Sequence, residues 1–195
     1  MLQVEDLRVE EEVLPLLNYT YNADAKAALW ENLNDLPPTV ALIEEKHAVF
    51  HGFWANWNVL ADFSYQKTQL YEVQAFLREV VNGQLLLETN RLKATAQLLF
   101  SETIHHQRRA RCIQVIQFWH RLQQHYFYRL DPQAFPLSFR AQLRILGQFL
   151  ERFGLPAYAQ AVQEDAFSVA QLVQFTRQLQ AITADELMVF WRAFY

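Results

Sequence analysis

The chain has 195 residues, 52% hydrophobic and 14% aromatic, with four glycines, six prolines and one cysteine. This length suits one well-buried core rather than two independent domains, and so apolar a composition sets disorder aside. The lone Cys112 excludes an internal disulfide framework and a multi-cysteine zinc site.

The net charge of −4 is unevenly spread. Through Asp62 there are eleven acidic residues against Arg8, Lys26 and Lys46, a net of −8; from Arg91 to Arg152 there are ten basic residues against Glu102, Asp131 and Glu151, a net of +7. Such asymmetry fits an anionic partner for the basic part, or mutual attraction between the two parts, and the acidic total favours the second. No run of about 18 uncharged apolar residues occurs, and the opening MLQVEDLRVEEEV lacks the basic start of a signal peptide, so a soluble, cytoplasmic protein is expected.

In chain order, Leu7, Glu10, Leu14 and Leu17 share one line of a first helix over Val4 to Leu14, which Pro15 ends or kinks. Asn22 or Asp24 caps a short helix to Asn34, before the Pro37-Pro38 break. From Thr39 to Ala61 the residues Ile43, His47, Phe50, Trp54, Trp57 and Ala61 are spaced three and four apart, which predicts one helix with this series, His47 included, on its buried face. Gly52 loosens that helix without ending it.

Ser64 offers the next cap, Leu70, Val73, Leu77 and Val81 form the next stripe, and Asn82-Gly83 is a stop signal. Leu85 to Arg129 contains neither Gly nor Pro. As one straight helix of about 45 residues it would span about 65 Å, too long for a domain of this size, so a break is expected near Ser101. Beyond it Cys112, Val115, Trp119, Leu122 and Tyr126 make a continuous apolar stripe.

Asp131-Pro132 and Pro136 end that helix, and another runs from Ser138 to Phe153, closed by Gly154. Pro156 starts a segment to Gln163. Ser168 caps VAQLVQFTRQLQAI, and Thr183 with Glu186 forms a capping box for ELMVFWRAFY. No two-residue alternation or long repeat is present. The expected fold is a single all-α domain, a multi-helix bundle of about seven to nine helices, with acidic N-terminal helices over residues 1–62 and the helical core over 63–195.

The most specific motif is a repeated Glu-x-x-His, Glu44 to His47 and Glu102 to His105. Residues three apart share a helix face, so a carboxylate and an imidazole at this spacing can bind one metal. With Glu10 before the first pair and Glu72 between the two, the order resembles a ferritin-like di-metal carboxylate site, which implies a pair of iron or manganese ions and dioxygen activation. Partly buried core histidines without a cofactor are the simpler reading. His47 and His51, four apart, also have the spacing of zinc ligands, but no metalloprotease glutamate lies between them.

Arg108, Arg109, Arg111 and Arg121, interleaved with Trp119, Tyr126, Phe127 and Tyr128, suit phosphate contact and base stacking on a nucleic acid. The aromatics at 119 and 126 lie on the apolar stripe, which favours a core role for them. At the C-terminus, Trp191, Phe194 and Tyr195 either pack into the core or form an aromatic end for a partner protein. No phosphate-cradling glycine loop or nucleophile elbow is present. The leading expectation is a non-catalytic protein-interaction or assembly module, adaptor-like or chaperone-like, with the di-metal oxidase and the nucleic-acid binder as alternatives.

Overall fold

The computed structural model describes residues 26–27, 29–31, 39–62, 65–85, 90, 93, 95 and 102–194, with 67, 102, 104 and 105 given by backbone alone. The expected first helix with Glu10, the break at Ser101, the Ser64 cap and Tyr195 lie outside the described residues.

The packing is organised by the stripe Cys112, Val115, Trp119 and Leu122, which is almost wholly removed from solvent. It belongs to a helix over Glu102–Leu122, which widens at its end into a π turn over Gln123–Phe127. In chain order the α-helices are α1 (Val40–Ala55), α2 (Trp57–Ala61), α3 (Lys67–Val81), α4 (Glu102–Leu122), α5 (Leu137–Glu151), α6 (Leu155–Gln163), α7 (Val169–Gln180) and α8 (Ala184–Phe194). A 3-10 turn over Pro132–Ala134 precedes α5. Among the described residues every regular element is helical and there is no strand, so the chain is an all-α bundle as expected.

Helix α4 packs against α3, α6 and α7, while α8 packs on α5. The periodicity of α3 holds: Leu70, Val73 and Leu77 are buried and Val81 packs at their edge. Around Trp119 the core is strongly aromatic. Its ring lies 4.7 Å from Phe153, 5.5 Å from Phe149 and 5.9 Å from Phe190 between centroids. Edge and tilted contacts of this kind contribute beyond area burial alone.

Local signals set the boundaries. Asn82 caps α3 and Gly83 follows at φ 70°, a left-handed conformation that glycine adopts without strain. Asp131 accepts from the Gln133 amide at 2.9 Å and caps the 3-10 turn. Gly154, at φ 61°, separates α5 from α6, whose first turn carries Pro156. Ser168 and Gln171 form a reciprocal capping box on α7. Thr183 and Glu186 form the other, the Thr183 amide donating to Glu186 at 2.9 Å and the Glu186 amide to Thr183 Oγ1 at 3.2 Å.

Glu186 also accepts from Arg152 Nη1 at 2.6 Å, and the guanidinium lies over the Phe149 ring, 4.5 Å from its centroid. The hydrogen bond from Arg152, then the Thr183 amide, lowers the Glu186 carboxyl from the ordinary value of 4.5 to about 2. A depressed folded-state value adds stability above the unfolded value and loses it as pH falls through the folded one. Glu186→Gln is therefore expected to unfold at lower urea than the wild type at pH 7, with the difference closing between pH 4.5 and 2.

Cys112 is fully buried, and desolvation pushes its thiol up to about 12 against a weaker opposing hydrogen bond with Thr176. The thiolate is the reactive form. In the native protein Cys112 is expected to resist a disulfide-exchange reagent such as DTNB at pH 8, and to titrate fully once the chain is unfolded in guanidinium.

Candidate interaction surface

Helix α1 presents two apolar faces, and only one can face the body of the molecule. Thr39 caps its start, with Oγ1 accepting from the Leu42 amide at 3.4 Å. The inward face is built on Gly52, which is buried against Phe135. A Cβ at position 52 would lie 2.7 Å from Phe135 Cε1 and 2.8 Å from Cγ, so only glycine lets the helix approach this closely. Beside it the Phe53 ring meets Phe135 at 5.2 Å and Phe139 at 5.3 Å, both edge to face. Ser138 donates to the Glu45 carboxylate on the same side. These contacts join a small second core of Leu130, Phe135 and Leu143.

Asn56 fixes the break between α1 and α2. It is buried, its Nδ2 donates to Gly52 O at 2.9 Å and to Asp131 O at 3.3 Å, and its Oδ1 accepts from the Asp131 amide at 2.8 Å. Two of these three hydrogen bonds tie the helix end to a segment 75 residues away, and the third closes the last turn of α1. The helix expected over Thr39 to Ala61 is thus divided at Asn56 rather than at Gly52.

The outward face carries the series that the spacing placed inside. Phe50 is 71% exposed, Trp54 79%, Trp57 61% and Ile43 41%, and His47 and Ala61 on the same line are exposed too. The expectation of a buried stripe with an inward His47 is overturned: the close approach at Gly52 and the Asn56 clamp turn the opposite face to the core. Trp54 and Trp57 stack across the break, with centroids 6.4 Å apart and planes at 28°, so the ridge is continuous.

The other proposed site residues separate into two groups. Glu44 and His47 are together on the outward face of α1, as is His51. Glu72 is exposed on α3 and accepts from Gln114 Nε2 at 2.9 Å. Glu102 and His105 lie in the first turn of α4, but their side chains, like Glu10, are outside the described residues. Among the described residues no three metal-ligating side chains converge.

The arginines hold helices together. Arg109 donates to Phe167 O at 3.3 Å and faces Asp165 at 3.8 Å; Arg111 donates to Glu79 at 3.0 Å; Arg121 donates to Gln69 at 2.5 Å. Arg108, half-buried, lies on the same helix. Trp119 is fully buried and Tyr126 packs against the main core, which is the core role expected for them. At the other end Trp191 is buried and Phe194 packs half-buried on the core, against Trp191 at 5.6 Å and Phe118 at 6.1 Å. The proposed aromatic docking end is therefore corrected: at these two positions the rings fill the core under α8, and Tyr195 lies outside the described residues.

The fold and this surface define an all-α helical protein with an outward aromatic ridge. No protein-family model, curated protein or solved structure matches the chain.

Adding a methyl group at Gly52 tests the inward contact directly. Alanine gains about 1 kcal/mol over glycine in a helix interior, whereas overpacking a buried ring costs about 1–3 kcal/mol. Gly52→Ala is expected to be destabilising by up to about 2 kcal/mol on these terms, read as a lower urea midpoint. Phe135→Leu in the same chain should recover part of the loss by making room for the methyl group.

Proposed function

We propose that this chain is a non-catalytic protein-interaction module, an adaptor or assembly unit, whose contact surface is the ridge Ile43, Phe50, Trp54 and Trp57. The reading is carried by one observation: three large aromatic side chains, each more than 60% exposed, stand in line along α1 and the start of α2, whose other side is packed on the body. Exposed aromatic side chains are costly unless covered, and Trp and Phe are enriched at the centres of protein interfaces. At about 150–250 Å² for a full aromatic side chain, the four residues present on the order of 500 Å² of apolar surface. That is the size of the largest apolar patch on a typical monomer, which is often a functional one. The missing phosphate-loop and nucleophile motifs agree with a role without catalysis.

Photo-crosslinking in cells tests this. A benzophenone amino acid placed at Phe50 or Trp54 of the whole chain is expected to give a covalent adduct with another protein chain, while the same group at Ile145, exposed on α5, gives none. No adduct at 50 and 54, equal yield at 145, or cross-links confined to the same chain would each sink the reading. The fold should not depend on the ridge, so Phe50→Ser with Trp54→Ser is expected to leave the unfolding free energy from urea titration within about 0.5 kcal/mol of the wild type.

A further inference from the structure

Beside its apolar ridge, helix α1 carries two imidazoles that no other described residue uses. His47 and His51 are four residues apart, both lie within Val40–Ala55, and both are exposed. The helix end at Asn56 falls beyond them, so the pair stands on uninterrupted α-helix. Among the described residues neither ring has a hydrogen bond or an ion pair. The other histidines with described side chains are placed differently: His125 meets Arg129 at 3.4 Å, His106 has a partner, and His120 is half-buried.

Residues four apart on a helix come within about 5–6 Å between Cβ atoms. Rotation about the two side-chain torsions of each histidine then brings one nitrogen of each ring to a common point. The nitrogen of a neutral imidazole is a ligand for zinc and copper(II), bonding zinc at about 2.0–2.1 Å. A pair on one helix asks for no ligand from a helix opposite, which separates it from a four-helix di-metal centre.

We infer that His47 and His51 form a two-nitrogen site for a divalent cation of the zinc and copper class on the outward side of α1. The site goes beyond the interaction reading and stands without it. Among the described residues no three metal-ligating side chains converge, so the protein supplies two ligands and the cation keeps open positions toward solvent. Magnesium and calcium, which take oxygen ligands, have no place on two imidazoles. Glu44, exposed one turn before His47, adds a negative charge that favours a cation nearby. A cation held by ligands one turn apart exists only on the folded helix, so binding stabilises α1, which rests on the smaller second core.

Zinc chloride titrated calorimetrically into the full-length chain, without an affinity tag, at pH 7 tests the site. His47→Ala and His51→Ala are each expected to weaken binding by at least about tenfold, the cost of losing even a ligand's outer hydrogen-bond partner. Magnesium chloride should give no binding that either substitution changes. Ala55 is exposed on the same helix, so Ala55→His made together with His47→Ala sets an imidazole four residues after His51 and should restore zinc binding. Copper(II) should bind more tightly than zinc, with an electron paramagnetic resonance spectrum split by two nitrogens that the double variant His47→Ala with His51→Ala loses. Zinc should also slow amide exchange in α1 of the wild type and not of the double variant.

Zinc affinity that is unchanged in both single variants, or no binding up to about 1 mM, would overturn the site. Failure of Ala55→His to restore binding would overturn the four-residue geometry, and zinc that binds without slowing exchange in α1 would overturn its placement there. Cross-linking at Phe50 is read without added metal, so failure of that experiment leaves this site standing, and failure of this one leaves the interaction reading standing.

Discussion

Everything in the described fold depends on keeping one apolar stripe of α4 dry. Cys112, Val115, Trp119 and Leu122 are nearly inaccessible to water, and the helices around them supply their cover: α3 through Leu70, Val73 and Leu77, α6 through Leu155 and Tyr158, α7 through Phe175 and Leu179. Hydrophobic burial is non-directional, but the aromatic rings around Trp119 give it geometry, because edge and tilted contacts hold only at particular separations. The arginines of α4 then fix the angle of each neighbour from the rim. Arg109 reaches the residues just before α7, and Arg111 and Arg121 reach α3.

Those pairings account for little of the uneven charge of the sequence. Mutual attraction between an acidic first third and a basic middle is visible in one described pair, Arg129 with Asp62 at 3.1 Å. The other described ion pairs run to Glu79, Asp165 and Glu186, which lie outside the acidic third. Exposed pairs of this sort contribute little each. What they supply is placement, because three of these four guanidinium groups also pack on a ring, Arg109 on Phe167, Arg111 on Phe76 and Arg152 on Phe149.

Helix ends and the main core were legible in the sequence because their causes are local. A capping box needs only residues three apart, so Ser168 with Gln171 and Thr183 with Glu186 can be read directly. The stripe of α4 was equally plain, since its apolar residues lie on one side only. Helix α1 defeated the same logic because it is apolar on two sides. Spacing favoured the line through Phe50 and Trp54; the fold chose the line through Gly52, Phe53 and Asn56. That choice was settled by Phe135 and Asp131, more than 70 residues away, which no local pattern reports. The available signal was weak but physical: a glycine inside a helix, with a buried-type polar residue four positions later on the same face, marks a close backbone approach. The metal and nucleic-acid readings rested on spacing alone. Spacing along one helix says which side chains share a face, and nothing about what stands opposite.

The second core of Leu130, Phe135 and Leu143 has a consequence for motion. It is much smaller than the main core, and it is this small core, with the Asn56 clamp, that carries α1 and α2. Segments with few buried contacts open at lower free energy than the body they rest on, and they do so as cooperative units. The amides of α1 and α2 therefore belong to a foldon that can exchange with solvent while α3 to α8 remain closed. The ridge mounted on such a unit can open with it as a whole, without the cost of disturbing the packing around Trp119.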